Sequence, residues 1–480
     1  MLPVLAIDIG SSAVRAAVML PDRIVAQESV RRGGAGSGLR FDPLLLWDDV
    51  CRAVRALPER HRGRLAAVGI AGHVGAVIVD AALEPVGDAY GWANPEGVGE
   101  LRDALGDAEQ EALRETGRPT LGGGPVATLL SLRNRRPRDY ARVAHVLAPK
   151  DYVLARMGGV VATDHTSAAY YGASSVHKRA WSPWILAALG LSEPLLPEQR
   201  GATDIVSTVT ADASRQLGVT EGLPLAAGGP DGTIGALAVV GTRRDTIVDV
   251  AGTTDVLVRV VADPPPPGGP ELTNPYALGG LWTSGGSTGM TGGAVTWWAE
   301  ALGIGGAAEA VNGLRDEMER IGPGAGGIRA LPWMSGSRYP RWRTDASGGL
   351  SGLRGDHDRA HVLRAVLEGV AFSVRQGIDS VAQGDRDMPV LLAGGAARSR
   401  WLAQLRADVL GRPVQTMREP DVSLVGAGLI ALVAAGDLRE DEVAWAEQDE
   451  MDEVLPSSDA AAYDEVYSTW LDAAAAADGL

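Results

Sequence analysis

The chain has 480 residues, 45% of them hydrophobic and 22% charged, with a formal net charge of −16. This length allows two or three domains, because single hydrophobic cores stop growing well below it. The negative charge argues against nucleic acid or an anionic membrane as the main partner. Cys51 is the only cysteine, which excludes an internal disulfide and suits a cytoplasmic protein. No apolar stretch approaches about 18 residues, so no membrane span is expected.

Two segments, 4–20 and 246–261, share a layout in which a short turn of small residues joins two apolar runs. This layout predicts a tight β-hairpin in each half of the chain, and the recurrence suggests two related halves. Such turns present backbone N–H groups and hydroxyls that could clasp a phosphate chain, although each alone could be an ordinary hairpin. The turn residues are Gly10, Ser11 and Ser12 in the first segment and Gly252, Thr253 and Thr254 in the second.

Strands and helices alternate along the rest of the chain, which predicts an α/β architecture with a boundary near 241–246. Strand-like runs occupy 65–72 and 76–80. Helices are predicted over 42–57, 182–191, 291–303, 357–381 and 423–436, and a strand, a Gly-Gly turn and a helix over 388–411. The proline-rich segment 263–270 is expected to be a flexible excursion.

The turn at Gly394 and Gly395 joins a predicted strand directly to a predicted helix. Unpaired N–H groups and the dipole at a helix N-terminus bind anions, so a nucleotide could approach the backbone here. The alternative is that the two glycines serve only close packing of the strand against the helix.

Asp231 is the one acidic residue within the segment 225–241. It follows Gly228, Gly229 and Pro230 at the start of a helical run, so it is expected to be a helix N-cap with a low pKa. The surrounding glycines clear more space than a cap requires. A carboxylate here could also orient the attacking hydroxyl in phosphoryl transfer, and the two roles are compatible.

Asp8 ends a run of apolar residues, where an unpaired buried carboxylate would be costly. Beside a phosphate-binding turn it could hold Mg²⁺ through water. The alternative is a strand-end aspartate that bonds nearby turn amides.

Six segments resemble motifs of the FGGY family of carbohydrate kinases, and the chain is most similar to its xylulokinase-like branch. The segments are 8–18, 148–172, 227–241, 250–257, 348–369 and 392–414. The resemblance extends over residues 4–475. It implies an α/β fold of two actin-like ATPase (ribonuclease H-like) domains that flank a central cleft. Residues 1–243 would bind the sugar and supply the base, and residues 244–480 would bind the nucleotide.

The resemblance also implies ATP-dependent phosphorylation of a ketose such as xylulose, or of a polyol, with Asp231 as the base. ATP and Mg²⁺ are the implied cofactors, with Asp8 and Asp231 holding the metal through water. The implied nucleotide-binding residues are Asp8, Gly10, Ser11, Ser12, Arg15, Gly252, Thr253, Thr254, Gly292, Thr296, Gly394, Gly395 and Ser399. The implied substrate-binding residues are Gly72, His73, Val74, Trp92, Asp231 and Gly232.

Three departures from the family pattern fall where the sugar should be recognised. The loop at 69–80 reads Gly-His-Val-Gly around His73, the segment 91–97 lacks an Asp and an Arg, and Ser337 replaces the usual Glu before Arg338. An acceptor other than xylulose is therefore one alternative. A non-catalytic sugar-sensing homologue and a phosphatase-like or free-standing ATPase are others. No nucleic acid or membrane partner is expected, and a homodimer is left open.

Overall fold

The computed structural model describes residues 2–33, 39–119, 122–266, 271–343, 345–417, 421–443 and 451–477. Half of the proline-rich segment predicted to be flexible, residues 267–270, lies outside these ranges. Among the helices of the described ranges, none is both long and apolar enough to cross a bilayer.

The N-terminal half contains one large mixed sheet and several small ones, with helices packed around them. Its strands are β1 (Val4–Ile9), β2 (Ala13–Leu20), β3 (Arg23–Arg31), β4 (Arg40–Phe41), β5 (Val68–Gly72), β6 (Gly75–Val79), β7 (Ala89–Gly91), β8 (His145–Leu147), β9 (Ala162–Asp164), β10 (Ser174–Ser175), β11 (Ala180–Trp181), β12 (Glu198–Arg200), β13 (Ile205–Thr208), β14 (Pro224–Ala226) and β15 (Gly229–Pro230). Its helices are α1 (Pro43–Ala56), α2 (Glu59–Arg62), α3 (Val98–Leu105), α4 (Glu109–Thr116), α5 (Pro125–Arg135), α6 (Pro137–Tyr140), α7 (Pro149–Gly158), α8 (His165–Ala169), α9 (Pro183–Leu189), α10 (Ala211–Leu217) and α11 (Asp231–Val240).

The C-terminal half is built around a second large sheet. Its strands are β16 (Ile247–Ala251), β17 (Asp255–Val261), β18 (Leu272–Pro275), β19 (Trp282–Ser287), β20 (Arg329–Leu331), β21 (Gly349–Ser351), β22 (Val390–Gly394), β23 (Val414–Thr416) and β24 (Asp452–Val454). Its helices are α12 (Thr291–Ala301), α13 (Ala307–Gly313), α14 (Arg315–Ile321), α15 (Arg359–Ala382), α16 (Arg400–Leu410), α17 (Val422–Ala434) and α18 (Ala460–Ala477).

The two large sheets repeat one plan. β1 pairs antiparallel with β2 and parallel with β5, and β16 pairs antiparallel with β17 and parallel with β22. The strand orders are β13-β14-β5-β1-β2-β3 and β18-β19-β17-β16-β22-β23-β24. Both predicted hairpins are therefore confirmed. Each hairpin turn follows the carboxyl end of a central strand, which is the edge where α/β proteins bind ligands.

The predicted helices agree well with the structure. Those expected over 42–57, 182–191, 291–303, 357–381 and 423–436 correspond to α1, α9, α12, α15 and α17. The strand-like runs correspond to β5 and β6. Long amphipathic or apolar runs with clear ends thus identified their elements correctly.

Helix α17 belongs to the second half of the chain but packs on α11 and on strands of the first sheet. Its glycines allow close approach, because a Cβ at Gly426 would lie 2.0 Å from the carbonyl oxygen of Ile234. One buried apolar cluster therefore includes Val4, Val248 and Val425, from both halves. This contact fixes the start of α11 relative to both hairpins.

Candidate active site

A cleft of about 430 Å³ opens between the two halves. It is lined by both hairpin turns, the start of α11, the end of β22 and loops of the N-terminal half. The predicted site residues that line it are Asp8, Gly10, Ser11, Ser12, Arg15, His73, Val74, Trp92, Asp231, Gly232, Gly252, Thr253, Thr254, Gly394 and Gly395. The structure thus brings together residues that are widely separated in the sequence.

Four other predicted residues, Gly72, Gly292, Thr296 and Ser399, lie outside this lining. A Cβ at Gly292 would lie 2.1 Å from the carbonyl oxygen of Gly252, so this glycine lets α12 support the second turn. The Thr296 hydroxyl donates to the Gly292 carbonyl within the same helix, at 3.1 Å. Ser399 caps α16 by accepting from the N–H of Leu402. Contact of these residues with a ligand stays a prediction.

Asp8 lies at the carboxyl end of β1, 5% exposed. Its Oδ2 lies 3.1 Å from Nη1 of Arg15, whereas its Oδ1 is buried with no hydrogen-bond partner among the described residues. Burial and the negative charge of Asp231 raise the pKa of Asp8 to about 7, and the Arg15 charge opposes that rise. Of the two roles expected for Asp8, bonding to turn amides is not seen, and the free Oδ1 leaves room for a water or an ion.

Asp231 is the first residue of α11 and lines the cleft. The predicted N-cap role is wrong, because Pro230 occupies the cap position and, among the described residues, the Asp231 carboxylate accepts a hydrogen bond only from the adjacent Gly232 N–H, at 2.7 Å. The predicted low pKa is also wrong. Burial raises the pKa of Asp231, and the hydrogen bond from Gly232 only partly opposes this. A carboxylate with a raised pKa is a better general base at neutral pH.

A buried ionic network supports the loop that leads to Asp231. Lys150 lies 3.0 Å from Oδ1 of Asp164 and donates to the Ala227 carbonyl oxygen at 3.0 Å, and it also contacts Asp151. The side chains of all three charged residues are at most 1% exposed. Because this network ties β9 and α7 to the β14–β15 connection, it fixes the approach of the chain to α11.

His73 lines the cleft, and both of its ring nitrogens contact other groups of the protein. Nε2 lies 2.9 Å from Nη1 of Arg32, and Nδ1 lies 2.9 Å from the Val74 carbonyl oxygen. Because arginine only donates, Nε2 accepts and the proton sits on Nδ1. Burial, with the Arg32 charge, lowers the pKa of His73 to about 4, so the ring is neutral at pH 7. Arg32 also donates to the Gly10 carbonyl oxygen, which couples His73 to the first hairpin turn.

The joint at Gly394 and Gly395 differs from the predicted strand–turn–helix. Residues Gly395–Arg398 form a 3₁₀ turn, and α16 begins only at Arg400. Gly394 has φ +83°, and a Cβ there would lie 2.6 Å from the Ala251 carbonyl oxygen. The close contact of both glycines is with Ala251 on the neighbouring strand β16 and not with α16, which differs from the expected packing of strand against helix. The pair also lines the cleft, and its contact with a nucleotide stays a prediction.

Sequence reasoning missed or assigned no role to several residues of the cleft wall. The guanidinium of Arg338 lies 5.0 Å from the ring centre of Trp92, and that of Arg118 lies 3.8 Å from the ring centre of Tyr170. Asp421, at the start of α17, also lines the cleft. These residues stand in loops or outside the quoted motifs, so no periodicity or turn pattern marked them.

The cleft fits a metal ion held mainly through water. Within the described ranges, no group of three His, Cys, Asp or Glu side chains is arranged to hold a metal. Asp8 with its unpartnered Oδ1 and Asp231 instead supply two carboxylates in the cleft that both hairpin turns line. This matches Mg²⁺, which keeps several waters and binds through one or two carboxylates and substrate phosphates.

Two sheet domains with the same strand plan, whose hairpin turns face one cleft, define the class of actin-like ATPases. The chain belongs to the FGGY family of carbohydrate kinases. The model of the N-terminal domain of this family matches residues 3–238, and that of the C-terminal domain matches residues 248–435. The chain is accordingly an enzyme that phosphorylates a sugar or polyol with ATP.

Individual relatives differ in the acceptor that their names give. The chain is 28% identical to the xylulose kinase of Escherichia coli, over 82% of this chain and 81% of that protein. It is also 28% identical to the glycerol kinase of Gloeobacter violaceus, over 90% and 88%. Its fold matches the crystal structure of gluconate kinase from Lactobacillus acidophilus with a TM-score of 0.86 and 23% identity, over 99% of this chain and 98% of that one.

Proposed function

We propose that Asp231 is the general base that activates the acceptor hydroxyl. The observation that supports this most is that Asp231 lines the same cleft as both hairpin turns, with burial raising its pKa. The hydroxyl oxygen attacks the γ-phosphorus of ATP, and the bond from that phosphorus to the bridging oxygen of ADP breaks. The hydroxyl proton passes to Asp231 late in this loose transition state.

The two hairpin turns would hold the phosphate chain of ATP from opposite sides. Ser12 and Thr253 are exposed in the cleft, where their N–H groups and hydroxyls can donate to phosphate oxygens, whereas the Gly252 N–H donates to the Thr254 carbonyl oxygen. Asp8 and Asp231 would hold Mg²⁺ through water, and the ion would neutralise charge on the transferred phosphoryl group. The adenosine would lie toward Gly394 and Gly395.

We place the boundary between the sugar-binding and nucleotide-binding domains at 243/244, in the turn between α11 and β16. The strands of the first large sheet all precede this turn and those of the second large sheet all follow it, which supports that division. We assign the reaction to the cytoplasm, where ATP is supplied. The single, buried Cys51 is in keeping with a reducing compartment.

An ADP-release assay with Mg-ATP tests the base and the reaction together. The wild-type chain should release ADP only when a sugar or polyol is present. Asp231→Asn should lower kcat by about 10²- to 10⁴-fold, the usual contribution of a positioned general base, while ADP still binds in a calorimetric titration. An Asp231→Asn variant with near wild-type kcat would refute the assignment of the base. Equal ADP release without any acceptor would instead indicate a free-standing ATPase.

A further inference from the structure

Arg118 is a buried cation at the acceptor side of the cleft, only 6% exposed. Its guanidinium stacks on Tyr170 and donates one hydrogen bond, from Nη2, to the side chain of Asn274. Its Nε and Nη1 are buried without any hydrogen-bond partner among the described residues. Because unpaired buried donors are costly, two free N–H positions on one guanidinium indicate that a partner is absent from the free protein.

Arg338 lines the same cleft from the C-terminal half. It stacks on Trp92, and its Nε is likewise buried without a hydrogen-bond partner in the described part of the chain. Its neighbours Ser337 and Tyr339 are uncharged. Across the described ranges, neither Arg338 nor Arg118 forms an ion pair with an Asp or Glu.

The acidic side chains of the cleft do not compensate these two charges. Asp8 and Asp421 are paired with Arg15 beside the first phosphate turn, and Asp231 stands at the start of α11. Burial lowers the pKa of both Arg118 and Arg338, which reflects the cost of holding a cation there without a counter-charge. An anionic ligand would remove that cost.

We propose that the acceptor is a sugar acid whose carboxylate is held by Arg118 and Arg338. This inference rests on the proposed function, since it names the substrate class of the same cleft. Guanidinium groups match carboxylates in geometry and form strong charge-assisted hydrogen bonds with them. A phosphate ester would bring almost two negative charges into a cleft that already holds ATP and Asp231, so a carboxylate fits better.

The two arginines would also orient the acceptor in the cleft. One end of an open-chain sugar acid would be fixed by the two arginines, with Trp92 and Tyr170 beside it. A hydroxyl farther along the chain would then face Asp231 and the γ-phosphate. Binding energy from a group remote from the reaction would in this way position the reacting hydroxyl.

Matched acceptor pairs test the proposal with the full chain and Mg-ATP. D-Gluconate is compared with D-glucitol, and D-xylonate with xylitol, because each pair differs only in the carboxylate. D-Xylulose and D-glucitol 6-phosphate, which carries a phosphate ester and no carboxylate, complete the panel. The acid of each pair should have a kcat/KM about 100-fold higher, the ratio expected when two charge-assisted hydrogen bonds are gained.

Two arginine variants separate recognition from folding. Arg338→Gln should lower kcat/KM for the acids by about 100-fold, mainly through KM, and should lower the values for the neutral partners far less, so that the ratio of acid to neutral partner falls. Arg118→Gln should act in the same direction. Arg215→Gln, which changes an exposed arginine paired with Asp212 on α10, is the control and should behave like wild type. Thermal stabilisation by ADP shows that each variant is folded.

The outcomes distinguish failure of the sugar-acid inference from failure of the proposed function. If neutral sugars are phosphorylated as well as or better than the acids, the sugar-acid inference fails while the kinase assignment stands. A preference for the phosphorylated sugar would overturn the choice of a carboxylate. If no acceptor promotes ADP release, the proposed function fails. Calorimetric titration with D-gluconate then still tests the inference, which falls if Arg338→Gln binds this acid as tightly as wild type does.

Discussion

Arg15 forms an ion pair with Asp421 across the cleft, with Nε 3.1 Å from Oδ1. Arg15 belongs to the first hairpin, and Asp421 precedes α17 in the other half of the chain. The same guanidinium lies 3.1 Å from Asp8. One cation therefore neutralises carboxylates from both halves, and Arg15, predicted to bind the nucleotide, already has two anionic partners in the free protein.

Arg15→Gln should destabilise the protein, because Asp8 and Asp421 would lose the cation they share. We expect the free energy of unfolding at pH 8 to fall by about 2 kcal/mol, less than for a fully buried pair because Arg15 is partly exposed. Urea denaturation measures the change. Arg23→Gln, which removes an exposed pair with Asp22, is the control and should cost less than about 0.5 kcal/mol. Equal effects of the two substitutions would show that Arg15 does not act as a shared counter-ion.

A second prediction concerns the contact of α17 with α11. Gly426→Ala would place a Cβ 2.0 Å from the backbone oxygen of Ile234, so the two helices must separate. We expect a loss of about 1–3 kcal/mol in the free energy of unfolding, the usual cost of overpacking. Because α11 begins at Asp231, whose carbonyl accepts from Ser423 on α17 at 2.9 Å, kcat should fall as well.

Gly99→Ala is the matched control for this helix substitution. Gly99 lies in α3, and a Cβ there would meet no atom within 4 Å. This change should raise the free energy of unfolding by up to about 1 kcal/mol, because alanine is the better helix former. If Gly426→Ala were as stable and as active as Gly99→Ala, the close contact would not determine the position of α11.

The sequence predicted the parts of the fold that depend on local pattern. Both hairpins and the main helices follow from apolar periodicity and small-residue turns, which are properties of contiguous segments. The cap assignment of Asp231 failed because Pro230 is extended and takes the cap position, so the carboxylate is left to the cleft. The predicted low pKa of Asp231 is wrong as well, because burial raises this pKa more than the hydrogen bond from Gly232 lowers it.

The acceptor side could not be predicted in the same way. Arg118, Arg338 and Asp421 line one cleft only because distant loops pack together, and no local pattern distinguishes them from surface charges. His73 was expected to contact the sugar, but its ring contacts Arg32. Arg32 follows β3 and lies 41 residues earlier in the chain, so no spacing in the sequence predicted this contact. Tertiary neighbours thus determine which polar groups remain available to a ligand.

The last prediction uses the lowered pKa of His73. The folded value is about 4 and the ordinary value is 6.5, so between these pH values the unfolded chain binds a proton that the folded chain does not. The stability due to neutral His73 is therefore fully present above about pH 6.5 and is lost as the pH falls toward 4. His73→Gln keeps an acceptor for Arg32 and a donor for Val74 but cannot titrate. The stability difference between wild type and this variant should shift by about 1 kcal/mol against wild type between pH 7.5 and pH 5.5, measured by urea denaturation. A difference that stays constant over this range would show that His73 is free to take up a proton in the folded protein, contrary to its enclosure by Arg32 and Phe41.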